Sequence, residues 1–68
     1  MNTFGKRVKT SRIEKGISRK QMAKALHISE RSISYWENNK RECNFDTLLK
    51  LSNYLDESID YLLGNSDF

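Results

Sequence analysis

Proline is absent from these 68 residues, glycine occurs three times and cysteine once. A chain with so little glycine and no proline is neither collagen-like nor a low-complexity disordered segment. The lone thiol, Cys43, has no partner for an internal disulfide, which points to a reducing cytoplasm. No apolar run approaches the ~20 residues that span a bilayer, so a membrane is not expected as a partner. The opening MNTFGKRVKT lacks the apolar stretch of a signal peptide. Chemistry-bearing constellations are missing too. Metal sites need several ligands at set spacing, and His27 and Cys43 alone make no such set. His27 is better explained as a turn residue, and Cys43 has no base beside it to make it a nucleophile. With no glycine-rich phosphate loop and no paired-carboxylate cleft, the expectation is a non-enzyme that takes no cofactor and no metal.

The charge that is present is unevenly placed. Residues 1–41 hold eleven Lys and Arg against Glu14, Glu30 and Glu37, a balance of +8. Residues 42–68 hold Lys50 against Glu42, Asp46, Asp56, Glu57, Asp60 and Asp67, a balance of −5 that brings the total to +3. Such segregation gives a small protein one electropositive face and suggests a polyanionic partner. The length allows one domain, with a core over residues 4–64, a short tail at 65–68, and no room for a deep substrate cavity.

Apolar spacing is helical almost throughout, and no period-2 run of β-branched or aromatic residues competes with it. Thr3 is placed to cap a first helix in which Phe4 and Val8 share a face, and Gly16 to end it in a left-handed turn. Ser18 followed by Gln21 is a capping box that opens a second helix running to about Leu26. After the connection His27–Ile28–Ser29, Ser29 caps a third helix that Asn38 and Asn39 end. Asn44 caps a fourth with Leu48, Leu51 and Leu55 on one face. Ser58 opens a short fifth helix presenting Ile59, Leu62 and Leu63, which Gly64 stops. The predicted fold is therefore all-α, with five helices.

Helices two and three form a helix-turn-helix: three residues join them, and Ala23 is small enough for close approach. On the third helix Ile33, Trp36 and Glu37 fall on one stripe facing inward. Glu30, Arg31, Ser34, Tyr35 and Asn38 fall on the other side. In a helix-turn-helix the second helix enters the DNA major groove and its early residues meet base edges.

The stretch ISRKQMAKALHISERSISYWENNKR closely resembles the signature of the Cro/C1-type (lambda-repressor-like, XRE) helix-turn-helix DNA-binding domains. FGKRVKTSR resembles that family's first helix and NFDTLLKLSNYLDESIDYLLG its last two, so the likeness covers about residues 4–64. The resemblance implies a sequence-specific transcriptional regulator, expected to be a repressor from a phage or bacterium. It further implies a cytoplasmic homodimer on a palindromic double-stranded DNA operator, with a regulatory protein partner possible. It implies that Glu30, Arg31, Ser34 and Tyr35 face bases, and that Ser18, Arg19, Asn38, Lys40 and Arg41 hold phosphates. Arg12 and Glu37 match a structural ion pair. The alternative kept open is an antitoxin-like or other protein-interaction subunit on the same fold.

Side-chain chemistry refines these roles. The Arg31 guanidinium can pair with both O6 and N7 of guanine. Glu30 can accept from a cytosine amino group, or simply favour the positive end of its helix. Tyr35 can touch a thymine methyl, touch a phosphate or pack on the surface. Four positions depart from the family pattern: Arg19 and His27 replace the usual Gln and turn Gly, and Asn39 and Cys43 replace a Gly and a Pro. His27 and Asn39 are thereby expected at positive φ. Tyr54, Leu55, Tyr61, Leu63 and Phe68 are the apolar groups expected to form the dimer surface.

Overall fold

Five helices and no strand occur among residues 3–67, which the computed structural model describes. They are α1 (Phe4–Glu14), α2 (Arg19–Leu26), α3 (Glu30–Glu37), α4 (Phe45–Leu55) and α5 (Ile59–Leu63). Four begin on a short polar side chain. Ser18 Oγ accepts the Gln21 amide at 3.0 Å while Gln21 Oε1 accepts the Ser18 amide at 2.8 Å, closing the expected capping box. Ser29, Asn44 and Ser58 accept the amides of Ser32, Thr47 and Tyr61. Thr3 departs from expectation. Its own backbone is already helical (φ −97°, ψ −15°), and its hydroxyl makes no cap bond. The Thr3 side chain instead lies against Gly64, where a Cβ would collide with it.

Every helix ends the same way, on a residue in the left-handed region: Gly16 (φ 68°), His27 (57°), Asn39 (56°), Asp56 (53°) and Gly64 (83°). The next residue's amide then reaches back along the helix: Ile17 to Arg12, Ile28 to Ala23, Lys40 to Tyr35, Glu57 to Ser52 and Asn65 to Asp60. These bonds satisfy carbonyls that the helix end would leave bare. His27 and Asn39 take positive φ as their positions required. Asp56 takes the same conformation with no glycine or asparagine to signal it, because aspartate tolerates positive φ.

Packing follows the spacing of the apolar residues. Phe4, Val8, Met22, Ala23, Leu26, Ile33, Trp36, Leu48, Leu51, Leu55 and Leu62 form one buried core. Helix α3 packs against both α1 and α2, α5 packs on α1 and α4, and α2 touches α4. Gly5 lets α1 sit directly on the end of α3: an added Cβ would strike the Trp36 carbonyl and lie 2.8 Å from Asn39 Oδ1. The C-terminal stretch is strapped down by Arg7. Its Nη1 donates to the carbonyls of Tyr61 at 3.1 Å and Ser66 at 2.5 Å. Its guanidinium also stacks over the Tyr61 ring, 4.4 Å from the centroid.

This packing corrects the expected dimer surface. Leu55 is fully buried and cannot meet a partner, while Tyr61 is half-buried with Arg7 stacked over one face of its ring. Tyr54 and Leu63 are half-buried against the core, and Phe68 lies outside the described residues. The large apolar side chains left exposed are Ile13, Phe45 and Leu49.

Glu57 joins the α4–α5 turn to α1. Its Oε2 accepts from the buried Ser11 hydroxyl at 2.7 Å and from Lys15 Nζ at 3.1 Å. Chiefly through the Ser11 bond, with Lys15 adding to it against the opposing effect of burial, its pKa is held below the usual glutamate value.

Two outcomes are expected. Gly5→Ala should destabilise the fold by about 1–3 kcal/mol in denaturant titrations, because a backbone carbonyl cannot yield as a flexible side chain would. The clash thus outweighs the roughly 1 kcal/mol by which alanine outranks glycine in a helix, so the net change is a loss. For Glu57, a lowered pKa means its stabilisation is complete above the ordinary glutamate pKa and is lost as pH falls through the lowered one. Ser11→Ala should move the Glu57 midpoint, followed by NMR pH titration, upward toward the ordinary value.

Candidate nucleic-acid interface

Glu37, the last residue of α3, carries a carboxylate with no solvent exposure, and two arginines neutralise it. Arg12 of α1 makes a two-pronged bond, Nε to Oε2 at 2.7 Å and Nη2 to Oε1 at 3.1 Å. Arg19, the first residue of α2, adds Nε to Oε1 at 3.1 Å. Arg12 also donates from Nη1 to the Ile17 carbonyl at 2.8 Å. The ends of α1, α2 and α3 are thus joined at one carboxylate. Arg19, which replaces the family's usual glutamine, keeps a bracing role by a different bond. Only its Nε is used in this, and its side chain is 40% exposed.

With Ile33, Trp36 and Glu37 buried, the opposite face of α3 is presented outward. That face divides into two turns. Glu30 and Arg31 are exposed, and their side chains engage no hydrogen bond or ion pair among the described residues. Glu30 sits in the first turn, where the helix dipole favours its charge. In the last turn the side chains are already occupied. Asn38 Nδ2 donates to the Ser34 carbonyl at 2.9 Å and lies 3.3 Å from its hydroxyl. Tyr35 is half-buried, and the Arg41 guanidinium lies over its ring, 5.0 Å from the centroid.

The flanks carry the remaining positions singled out from the sequence. Lys40 and Arg41 are exposed just beyond α3, where left-handed Asn39 turns the chain. Ser18 is exposed at the start of α2, with its hydroxyl accepting in the cap and its amide held by Gln21. Cys43, in the loop before α4, is half-buried, and burial pushes its thiol pKa up. Among the described residues no helix is long and apolar enough to cross a membrane.

A helix-turn-helix family model matches residues 8–62. The chain belongs to the Cro/C1-type helix-turn-helix family. The chain is 42% identical over 65 residues to the HTH-type transcriptional regulator ImmR of Bacillus subtilis, covering 96% of this chain and 51% of that protein. It is 43% identical over 60 residues to the SPbeta prophage-derived HTH-type transcriptional regulator YonR of the same species, covering 88% and 56%. The HTH-type transcriptional activator BcrR of Enterococcus faecalis is 30% identical over 64 residues, covering 94% and 31%. The chain spans about half the length of the first two. The coarse assignment that these likenesses carry is a DNA-binding domain of transcription regulation.

Two features of this site leave little trace in the sequence. The Arg19–Glu37 pair was signalled only by an arginine standing where glutamine is usual. The stacking of Arg41 on Tyr35 left no mark in the spacing, since residues six apart meet only because Asn39 reverses the chain.

Glu37→Gln should test the shared carboxylate. It keeps the shape but leaves the Arg12 guanidinium, 9% exposed, without its counter-charge. Removing one partner from a buried pair of this kind is worth about 3–5 kcal/mol. Denaturant unfolding should show a loss in that range, whereas Arg19→Gln, at a half-buried position that leaves Arg12 in place on Glu37, should lose far less.

Proposed function

We propose that this chain is a sequence-specific regulator that lays α3 in the major groove of a double-stranded operator. The observation that carries the proposal is the state of α3's first turn. Glu30 and Arg31 are exposed and uncommitted on a helix whose other face is locked into the core. Arg31 pairs with guanine, Glu30 accepts from cytosine or supports the helix start, and Ser34 and Tyr35 complete the outward face. Ser18, Arg19, Asn38, Lys40 and Arg41 hold phosphates on either side of the groove and set the register.

Size supports a two-fold pair. The longest dimension of the domain is 28 Å. Half-sites of a palindrome lie about 34 Å apart, so on such a site each copy would cover one half-site. Repression is the simpler outcome, because occupancy of an operator is enough, whereas activation needs a second surface for polymerase. The working compartment is the cytoplasm of a bacterial or phage-infected cell, where the operator lies.

Selection of bound duplexes from random DNA, followed by binding titrations at several salt concentrations, tests this directly. The selected site should show two half-sites about 10 base pairs apart. Arg31→Ala should weaken binding by about 1–3 kcal/mol and relax preference at one position in each half-site. Lys40→Ala should weaken binding to all sequences alike and reduce the salt slope by about 0.9 for its phosphate. An Arg31→Ala loss that is uniform across sequences would make Arg31 a phosphate clamp instead of a reader.

A further inference from the structure

We propose that Tyr35 acts as a positioning residue for Arg41: its ring is the platform that fixes the Arg41 guanidinium beside the last turn of α3. The proposal rests on the DNA-binding reading above and changes what Tyr35 does within it. Tyr35 contributes through a backbone-directed cation and does not itself select a base.

The backbone brings the two together. Asn39, at φ 56°, reverses the chain, and the amides of both Lys40 and Arg41 then point at the Tyr35 carbonyl, at 2.8 and 3.4 Å. This holds the start of the loop against α3 and drops Arg41 over the Tyr35 ring, 5.0 Å from its centroid. A guanidinium prefers the electron-rich face of an aromatic ring, and its planar shape stacks there without losing its donors. Those N–H groups remain in the guanidinium plane, available to a phosphate.

Two consequences follow. An arginine on a free loop loses rotamer freedom when it docks, and one already stacked has less to lose. The Tyr35 face, meanwhile, is covered and cannot lie flat against a thymine methyl unless Arg41 leaves. Glu30 and Arg31, whose side chains engage nothing among the described residues, are left with Ser34 as the base readers of that face.

A double-mutant cycle on the purified chain tests this, with Tyr35→Ala, Arg41→Ala, the double variant and Tyr35→Phe titrated against the selected operator and its single-base variants. Tyr35→Ala is expected to weaken binding about two- to fivefold, equally for all base variants. In the Arg41→Ala background the same substitution should cause no further loss, and Tyr35→Phe should stay within twofold of wild type. NMR of the free protein supplies a readout that needs no DNA. The Arg41 δ-protons should show a ring-current shift in wild type and Tyr35→Phe that disappears in Tyr35→Ala. If the alanine variant loses its helical signal, Tyr35→Leu keeps the bulk without the aromatic face and takes its place. A Tyr35→Ala loss confined to one base position, or unchanged in the Arg41→Ala background, overturns this proposal and leaves the DNA-binding reading standing. Failure of the wild-type protein to bind any duplex overturns both.

Discussion

The placement of α3 depends on one buried carboxylate. Glu37 has no solvent around it, and an ionised carboxylate in that position is tolerable only if its charge is matched and its lone pairs are filled. Arg12 and Arg19 do both, from two different helices. The consequence is geometric. The C-terminal end of α3 is fixed to the body of α1 and the first residue of α2, so it cannot roll about its axis without breaking charge-assisted bonds. Gly5 acts at the same place, letting α1 reach the Trp36 carbonyl, so packing and electrostatics constrain the same end of α3.

A helix held so firmly from behind can present a face that contributes little to stability. The two turns of that face differ in how much freedom they keep. The first has unengaged side chains, which the proposed function uses for new bonds with base edges. The second has its side chains committed in advance, Asn38 to Ser34 and Arg41 to Tyr35. Commitment lowers the entropy lost on binding and limits what a group can discriminate. Backbone contact, which carries no sequence information, is the use that suits such groups.

The acidic half of the chain supports the basic half mechanically. Glu57 takes the Ser11 hydroxyl and the Lys15 ammonium, and Arg7 gathers the carbonyls of Tyr61 and Ser66. Both tie α5 and its flanks to α1, the same helix that anchors Glu37. Charges of opposite sign in the two halves therefore serve cohesion where they meet and leave the net positive charge on the helix-turn-helix side.

Much of this was legible in the chain, because it depends on residues close in sequence. Caps at Ser18, Ser29, Asn44 and Ser58 act within three residues, and the apolar stripes of α3 and α4 repeat with the helix turn. Helix number, approximate boundaries, the buried faces and the outward face of α3 all follow from such local rules. The Arg12–Glu37 pair lies 25 residues apart, and only a family pattern could place it. What needed the folded molecule is of another kind. Leu55 and Tyr61 carry the same apolar label as an interface residue, and only the folded molecule shows that Leu55 is buried in the core and that Arg7 stacks over one face of a half-buried Tyr61. Thr3 has the right chemistry for a cap and the wrong backbone. Arg19 and Arg41 are flexible cations in the sequence, and their partners, Glu37 and the Tyr35 ring, were chosen by chain reversal and helix packing. Long side chains have many partners within reach, and the tertiary arrangement alone decides which of them is nearest.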